Sequence, residues 1–148
     1  MEGTSISLIN AETKVKVSST LDKSVGKKYL TDGSPETCWT SQQGTPQYIQ
    51  FNFPGPVIPK QVSITFQGGF VGTRCVVEVP EDPAIVQSSW KTFTEIFSED
   101  VNRKQTFDLT HVVPVQGIQA LRFVFQESSD FFGRITVYDV QITGSVLS

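Results

Sequence analysis

The chain has 148 residues, 16.4 kDa and a formal net charge of −3, from 12 Lys and Arg against 15 Asp and Glu. One domain spanning 1–148 fits that length, and the acidic balance weighs against a dedicated nucleic-acid binder, which carries a basic excess. Two cysteines and one histidine exclude a four-Cys zinc site, a Cys2His2 finger and any centre needing two imidazoles, so the inventory points away from catalysis and toward binding.

The opening Met1-Glu2-Gly3-Thr4-Ser5 lacks the basic start and apolar run of a secretory signal. No segment approaches the roughly 20 apolar residues of a membrane span. The expected compartment is therefore the cytoplasm or nucleus, with Cys38 and Cys75 as reduced thiols. Both have apolar or aromatic neighbours, Trp39 after the first and Val76-Val77 after the second, and both are expected to be small core hydrophobes.

Period-2 alternation dominates the chain. Tyr48 to Phe53 places Ile49, Phe51 and Phe53 on one face; Gln61 to Phe66 does so with Val62, Ile64 and Phe66; Ala120 to Phe125 does so with Leu121, Phe123 and Phe125. Turn residues punctuate these runs at Asp32-Gly33, Gly44-Thr45-Pro46, Pro54-Gly55-Pro56, Gly68-Gly69, Pro80-Glu81-Asp82-Pro83, Gly117 and Gly133. Short strands with Gly and Pro turns predict an all-β fold, a jelly-roll β-sandwich. In the last strand Ile135 and Val137 are out of phase with Val140 and Ile142. Keeping all four in the core requires an extra residue near Tyr138-Asp139, a β-bulge that would re-aim Asp139 toward a neighbouring loop or, in the alternative, be purely structural with Asp139 solvated.

The segment from Leu30 to Ser41, with Asp32-Gly33 followed by Thr37-Cys38-Trp39-Thr40-Ser41, resembles the signature of galactose-binding-like domains, the discoidin or coagulation-factor C-type jelly rolls. The closing Asp139-Val140-Gln141-Ile142-Thr143-Gly144 resembles their final strand. Four motifs in order resemble the nuclear receptor subfamily 2 group C member 2-associated protein family: Gly26-Lys27-Lys28-Tyr29-Leu30, Glu36-Thr37-Cys38-Trp39, Phe66-Gln67-Gly68-Gly69-Phe70 and Asp130-Phe131-Phe132-Gly133-Arg134. The resemblance covers about Val17 to Gly144. It implies an intracellular, non-enzymatic β-sandwich, with Trp39 in the core, associated with an orphan nuclear receptor. The superfamily also supplies accessory subunits to ciliary-transport and ubiquitin-ligase assemblies, so a structural-adaptor role and a ciliary location stand beside the nuclear one. Secreted relatives join their chain ends by a disulfide; here both cysteines are internal, which favours the intracellular branch.

Several residue sets are candidates for function. The superfamily resemblance implies a structural Ca²⁺ at Asp32, Thr37 and Asp139, with loop carbonyls completing the hard-oxygen shell such an ion needs; the alternative is a local turn capped by Asp32. Gln67, Gly68, Gly69, Phe70, Arg74, Asp130, Phe131 and Arg134 form candidate partner-binding loops, since Gly-hinged loops present aromatic and Arg side chains, the types that dominate interface hot spots. In the alternative, Phe66 and Phe132 fill the core and Asp130 pairs with Arg134 across a turn. Carbohydrate binding is the rival, through Tyr29, Trp90, Phe131 and Arg134. Catalysis is disfavoured: His111 has no nucleophile-elbow or thiol context, and the paired acids Glu81-Asp82 and Glu99-Asp100 read as solvated turns. Lys27-Lys28 and Arg103-Lys104 read as ordinary surface charge.

Overall fold

Alternation becomes antiparallel strands throughout the computed structural model, which describes residues 5–82, 89–109 and 117–147. In chain order these are β1 (Ile6–Ser7), β2 (Lys14–Val17), β3 (Trp39–Thr40), β4 (Gln47–Phe66), β5 (Gly72–Pro80), β6 (Trp90–Phe97), β7 (Lys104–Asp108), β8 (Ile118–Ser128) and β9 (Thr136–Val146). Two 3-10 turns, Lys23–Val25 and Lys27–Leu30, lie between β2 and β3. Among the described residues no helix is long and apolar enough to cross a membrane.

Strand β4 belongs to both layers of the sandwich. Its first half pairs with β2 and β8, and its second half with β7 and β9. Hydrogen bonding therefore runs unbroken in the order β1-β9-β4-β8-β5-β6. The β4–β8 register breaks between Asn52 and Val57, where Pro54-Gly55-Pro56 lies. Proline has no amide hydrogen to give the ladder, so the strand bends there from one layer to the other. The expected turn at Pro54-Gly55-Pro56 is thus a corner inside one long strand: the chain changes sheet without reversing.

The alternating faces meet in the core. Ile49, Phe51, Phe53, Val62, Ile64, Phe66, Leu121, Phe123 and Phe125 are all buried, as their spacing predicts. Phe51 meets Phe123 edge-to-face at 6.1 Å and Phe66 meets Phe125 likewise at 5.6 Å. Trp39 is completely buried, and its indole Nε1 donates to the Ser19 carbonyl at 3.0 Å, which satisfies the one polar group it carries inside. Cys75 is buried among these residues, but Cys38 is only half-buried, correcting the expectation that both lie in the core. Cys38 precedes β3, and its Sγ lies 3.8 Å from the Thr40 hydroxyl.

The predicted bulge is present. Thr65 pairs with Asp139 and Phe66 with Val137, leaving Tyr138 as the extra residue. Ile135, Val137, Val140 and Ile142 are all buried, the outcome that a strict two-residue period could not deliver.

Candidate functional site

At one end of the sandwich the β4–β5 turn, the β6–β7 loop and the β8–β9 loop are hydrogen-bonded together. The Gln67 amide donates to the Thr136 carbonyl and the Thr136 amide to the Phe70 carbonyl, each at 3.0 Å. Asp100 Oδ1 accepts from the Gly69 amide at 2.8 Å and from the Ser129 hydroxyl at 3.1 Å, while Asn102 Oδ1 accepts from the Gly68 amide at 3.1 Å. Asp100 is therefore a loop pin and not the solvated acid expected of the Glu99-Asp100 pair; Glu99 pairs with Arg103 at 2.8 Å. The available signal was composition: Asp and Asn between two strands are the side chains that accept backbone amides in turns.

The β8–β9 loop closes on itself. Asp130 Oδ2 accepts from both the Arg134 amide and Arg134 Nε, each at 3.0 Å, the pairing that the sequence suggested. That contact holds the Asp130 carboxyl below the ordinary carboxylate range. The guanidinium lies 5.1 Å from the Phe70 ring centre and 5.8 Å from that of Phe132, distances at which a cation is attracted to the ring face. Gly133 has φ +82° and comes so close to Gly44 that a Cβ would sit 2.9 Å from its backbone, so only glycine fits. Phe131 is 93% exposed and stands edge-to-face on Phe132 at 5.2 Å. Phe132 is itself 54% exposed, so of the alternative in which Phe66 and Phe132 fill the core only the buried Phe66 fits. The Phe132 carbonyl is held by the Gly44 amide at 2.8 Å, which keeps the loop on the outside of the sandwich.

Gln67, Gly68, Gly69, Phe70, Asp130, Phe131 and Arg134 thus come together as one surface. Arg74 pairs instead with Glu95 of β6 at 3.0 Å. Nor do the proposed sugar contacts converge. Trp90 stacks on Arg122 at 3.9 Å, and the same guanidinium lies 4.9 Å from Tyr48 and donates to Gln50 Oε1. Tyr29 sits on the second 3-10 turn under Lys28. His111 lies outside the described residues.

The bulge side carries the second candidate. Thr37 donates to Asp32 Oδ2 at 2.6 Å and the Ser34 amide donates to Oδ1 at 3.0 Å; both bonds favour the ionised carboxyl and lower its pKa. Asp139 faces this loop across a groove of about 370 Å³ lined by Gly33, Ser34, Pro35 and Tyr138 among others. Burial raises the Asp139 pKa and the nearby Asp32 charge adds to that rise, against a Gln141 hydrogen bond and Lys104. Among the described residues no group of three or more His, Cys, Asp or Glu side chains is placed to hold a metal. Two carboxylates, the Thr37 hydroxyl and loop carbonyls are still the donor types that a hard cation takes.

No protein-family model matches the chain. Among solved structures it is similar to the F5/8 type C domain of a Bacteroides fragilis protein, with TM-score 0.76, 14% identity and coverage of 99% of this chain and 100% of that one. It is similar also to the family 32 carbohydrate-binding module of Clostridium perfringens NanJ, solved in complex with galactose, with TM-score 0.73, 13% identity and coverage of 95% and 99%. Those likenesses establish the galactose-binding-like jelly roll. Among curated proteins it is similar to the nuclear receptor 2C2-associated proteins of Danio rerio, at 38% identity over 93% of this chain and 95% of that protein, and of Xenopus laevis, at 37% over 93% and 98%. The Homo sapiens protein of that name is 34% identical over 93% and 96%. With the sandwich, the buried Trp39 and the paired loops all in place, the chain belongs to the nuclear receptor 2C2-associated protein family.

Proposed function

We propose that this protein is a non-enzymatic module that docks a protein partner through the loop end carrying Phe70, Phe131, Phe132 and Arg134. The observation that carries the reading is Phe131, a phenyl ring left 93% exposed on a loop whose backbone is tied by Asp130, Arg134 and Gly44. Leaving such a side chain in water forgoes about 1.5–3 kcal/mol of burial, and holding it rigid in the free state lowers the ordering cost of binding. The names of the relatives point to a nuclear receptor as partner, and the place proposed for the protein is the cytoplasm or nucleus. A small structural subunit of a larger assembly, ciliary or ubiquitin-ligase, is the alternative role.

Affinity purification of the tagged chain from native cells, followed by mass spectrometry, tests both. A receptor or discrete assembly captured by the parent and lost with Phe131→Ala plus Arg134→Ala supports the reading. Unchanged capture overturns it. A carbohydrate reading rests on the galactose complex of the similar module and on an aromatic beside an arginine; hits on a glycan array, abolished by Phe131→Ala, would establish it instead. The groove between the Asp32 loop and Asp139 supports a structural Ca²⁺ held by those two carboxylates, Thr37 and loop carbonyls, and the molecule needs no other cofactor.

A further inference from the structure

Strand β2 pairs with β4 from Lys14 opposite Asn52 to Val17 opposite Ile49, and its other edge has no strand partner among the described residues. Alternation along it turns Val15 and Val17 to the core and leaves Lys14 and Lys16 exposed. Against that edge lies the Lys27–Leu30 turn, anchored by the completely buried Leu30 and exposing Lys27 and Lys28. The result is a cleft of about 380 Å³ lined by these four lysines with Val15 and Thr31, and by no carboxylate. None of the ion pairs Arg74–Glu95, Arg103–Glu99, Arg122–Glu78 and Arg134–Asp130 involves these lysines. Lys27-Lys28, ordinary surface charge in the sequence, becomes half of a cationic site that only the fold assembles.

The distribution of charge selects the occupant. Removing these four lysines from the count leaves 8 cationic against 15 anionic side chains, a balance of 8 − 15 = −7. A long polyanion such as nucleic acid or an anionic bilayer would extend beyond the cleft over a chain whose remaining side chains sum to a negative charge. A short anionic segment meets only the lysines. Within the cleft, the β2 edge that no strand pairs with among the described residues offers backbone donors and acceptors to an extended peptide. We infer that the cleft between β2 and the Lys27–Leu30 turn is a docking site for a short acidic segment of a protein partner. It shares no residue with the Phe131 loop end and stands independently of that reading.

Fluorescence anisotropy of the full chain with a labelled glutamate-rich peptide, and with its glutamine counterpart, tests the inference. The acidic peptide is expected to bind, to weaken as salt rises, and to lose about tenfold or more in affinity in each of Lys14→Glu/Lys16→Glu and Lys27→Glu/Lys28→Glu, as charge reversal at a complementary contact requires. Lys14→Arg/Lys28→Arg, which keeps both charges, is expected to bind as the parent does. Equal binding by the charge-reversed variants, no binding of the acidic peptide by the parent, or tighter binding of an oligothymidylate or of phosphatidylcholine–phosphatidylserine vesicles would each overturn it.

Discussion

Asp130 and Arg134 close the β8–β9 loop by a side-chain pair at 3.0 Å that also receives the Arg134 amide. The same guanidinium lies over Phe70, so one residue ties the β8–β9 loop to the β4–β5 turn and sets where Phe131 stands. Because Arg134 lowers the Asp130 pKa, the pair stabilises the folded chain above the ordinary carboxylate pKa of about 3.9 and loses that effect as pH falls through the lower folded value. Asp130→Asn is therefore expected to melt below the parent at neutral pH, with the gap closing in acid below about pH 4. Thermal melts across pH check this; a gap that persists in strong acid would refute it.

Gly144 of β9 lies against β4 so closely that a Cβ would sit 2.0 Å from the Ile58 carbonyl oxygen. That oxygen belongs to a paired strand and cannot swing aside. Gly144→Ala is expected to cost about 3 kcal/mol in chemical denaturation. Gly133→Ala, strained by its positive φ and by Gly44, is expected to cost about 1–3 kcal/mol and to weaken partner capture, since it displaces the loop bearing Phe131.

Asp139 carries the opposite sign to Asp130. Burial raises its pKa, so its ionised form costs stability at neutral pH, and the cost fades as acid protonates it in both states. Asp139→Asn is expected to raise the melting temperature at pH 7 and to have little effect near pH 3. Added Ca²⁺ is expected to raise the melting temperature of the parent and to leave Asp139→Asn unmoved, because the ion would lose its second carboxylate. Differential scanning fluorimetry reads both.

The two thiols are expected to separate in reactivity. Desolvation pushes the Cys75 pKa far up, and its side chain is buried; Cys38 is half-buried beside Thr40. Reaction needs an accessible thiolate. Titration with a chromogenic disulfide should modify Cys38 in the native protein and Cys75 only after denaturant is added, and Cys38→Ser should abolish the native reaction.

Few catalytic side chains and a two-residue alternation of apolar ones are properties of residue order alone. Alternation at Ile49-Phe51-Phe53 and Leu121-Phe123-Phe125 depends only on the two-residue strand period, so the buried faces follow from order alone. The phase slip between Val137 and Val140 required the bulge at Tyr138 for the same reason. The four motifs were enough to place the chain in its family. Tertiary structure decided everything that depends on segments distant in order. Pro54-Gly55-Pro56 is a corner because β8 and β9 pair with opposite ends of β4; Phe132 is outside because Gly44, from another loop, holds its carbonyl; and Asp100 became a pin by meeting Gly69. The lysines of β2 and of the Lys27–Leu30 turn show the distinction most plainly. Their charges are visible residue by residue, but a field is a sum over positions in space, and only the fold sets those distances.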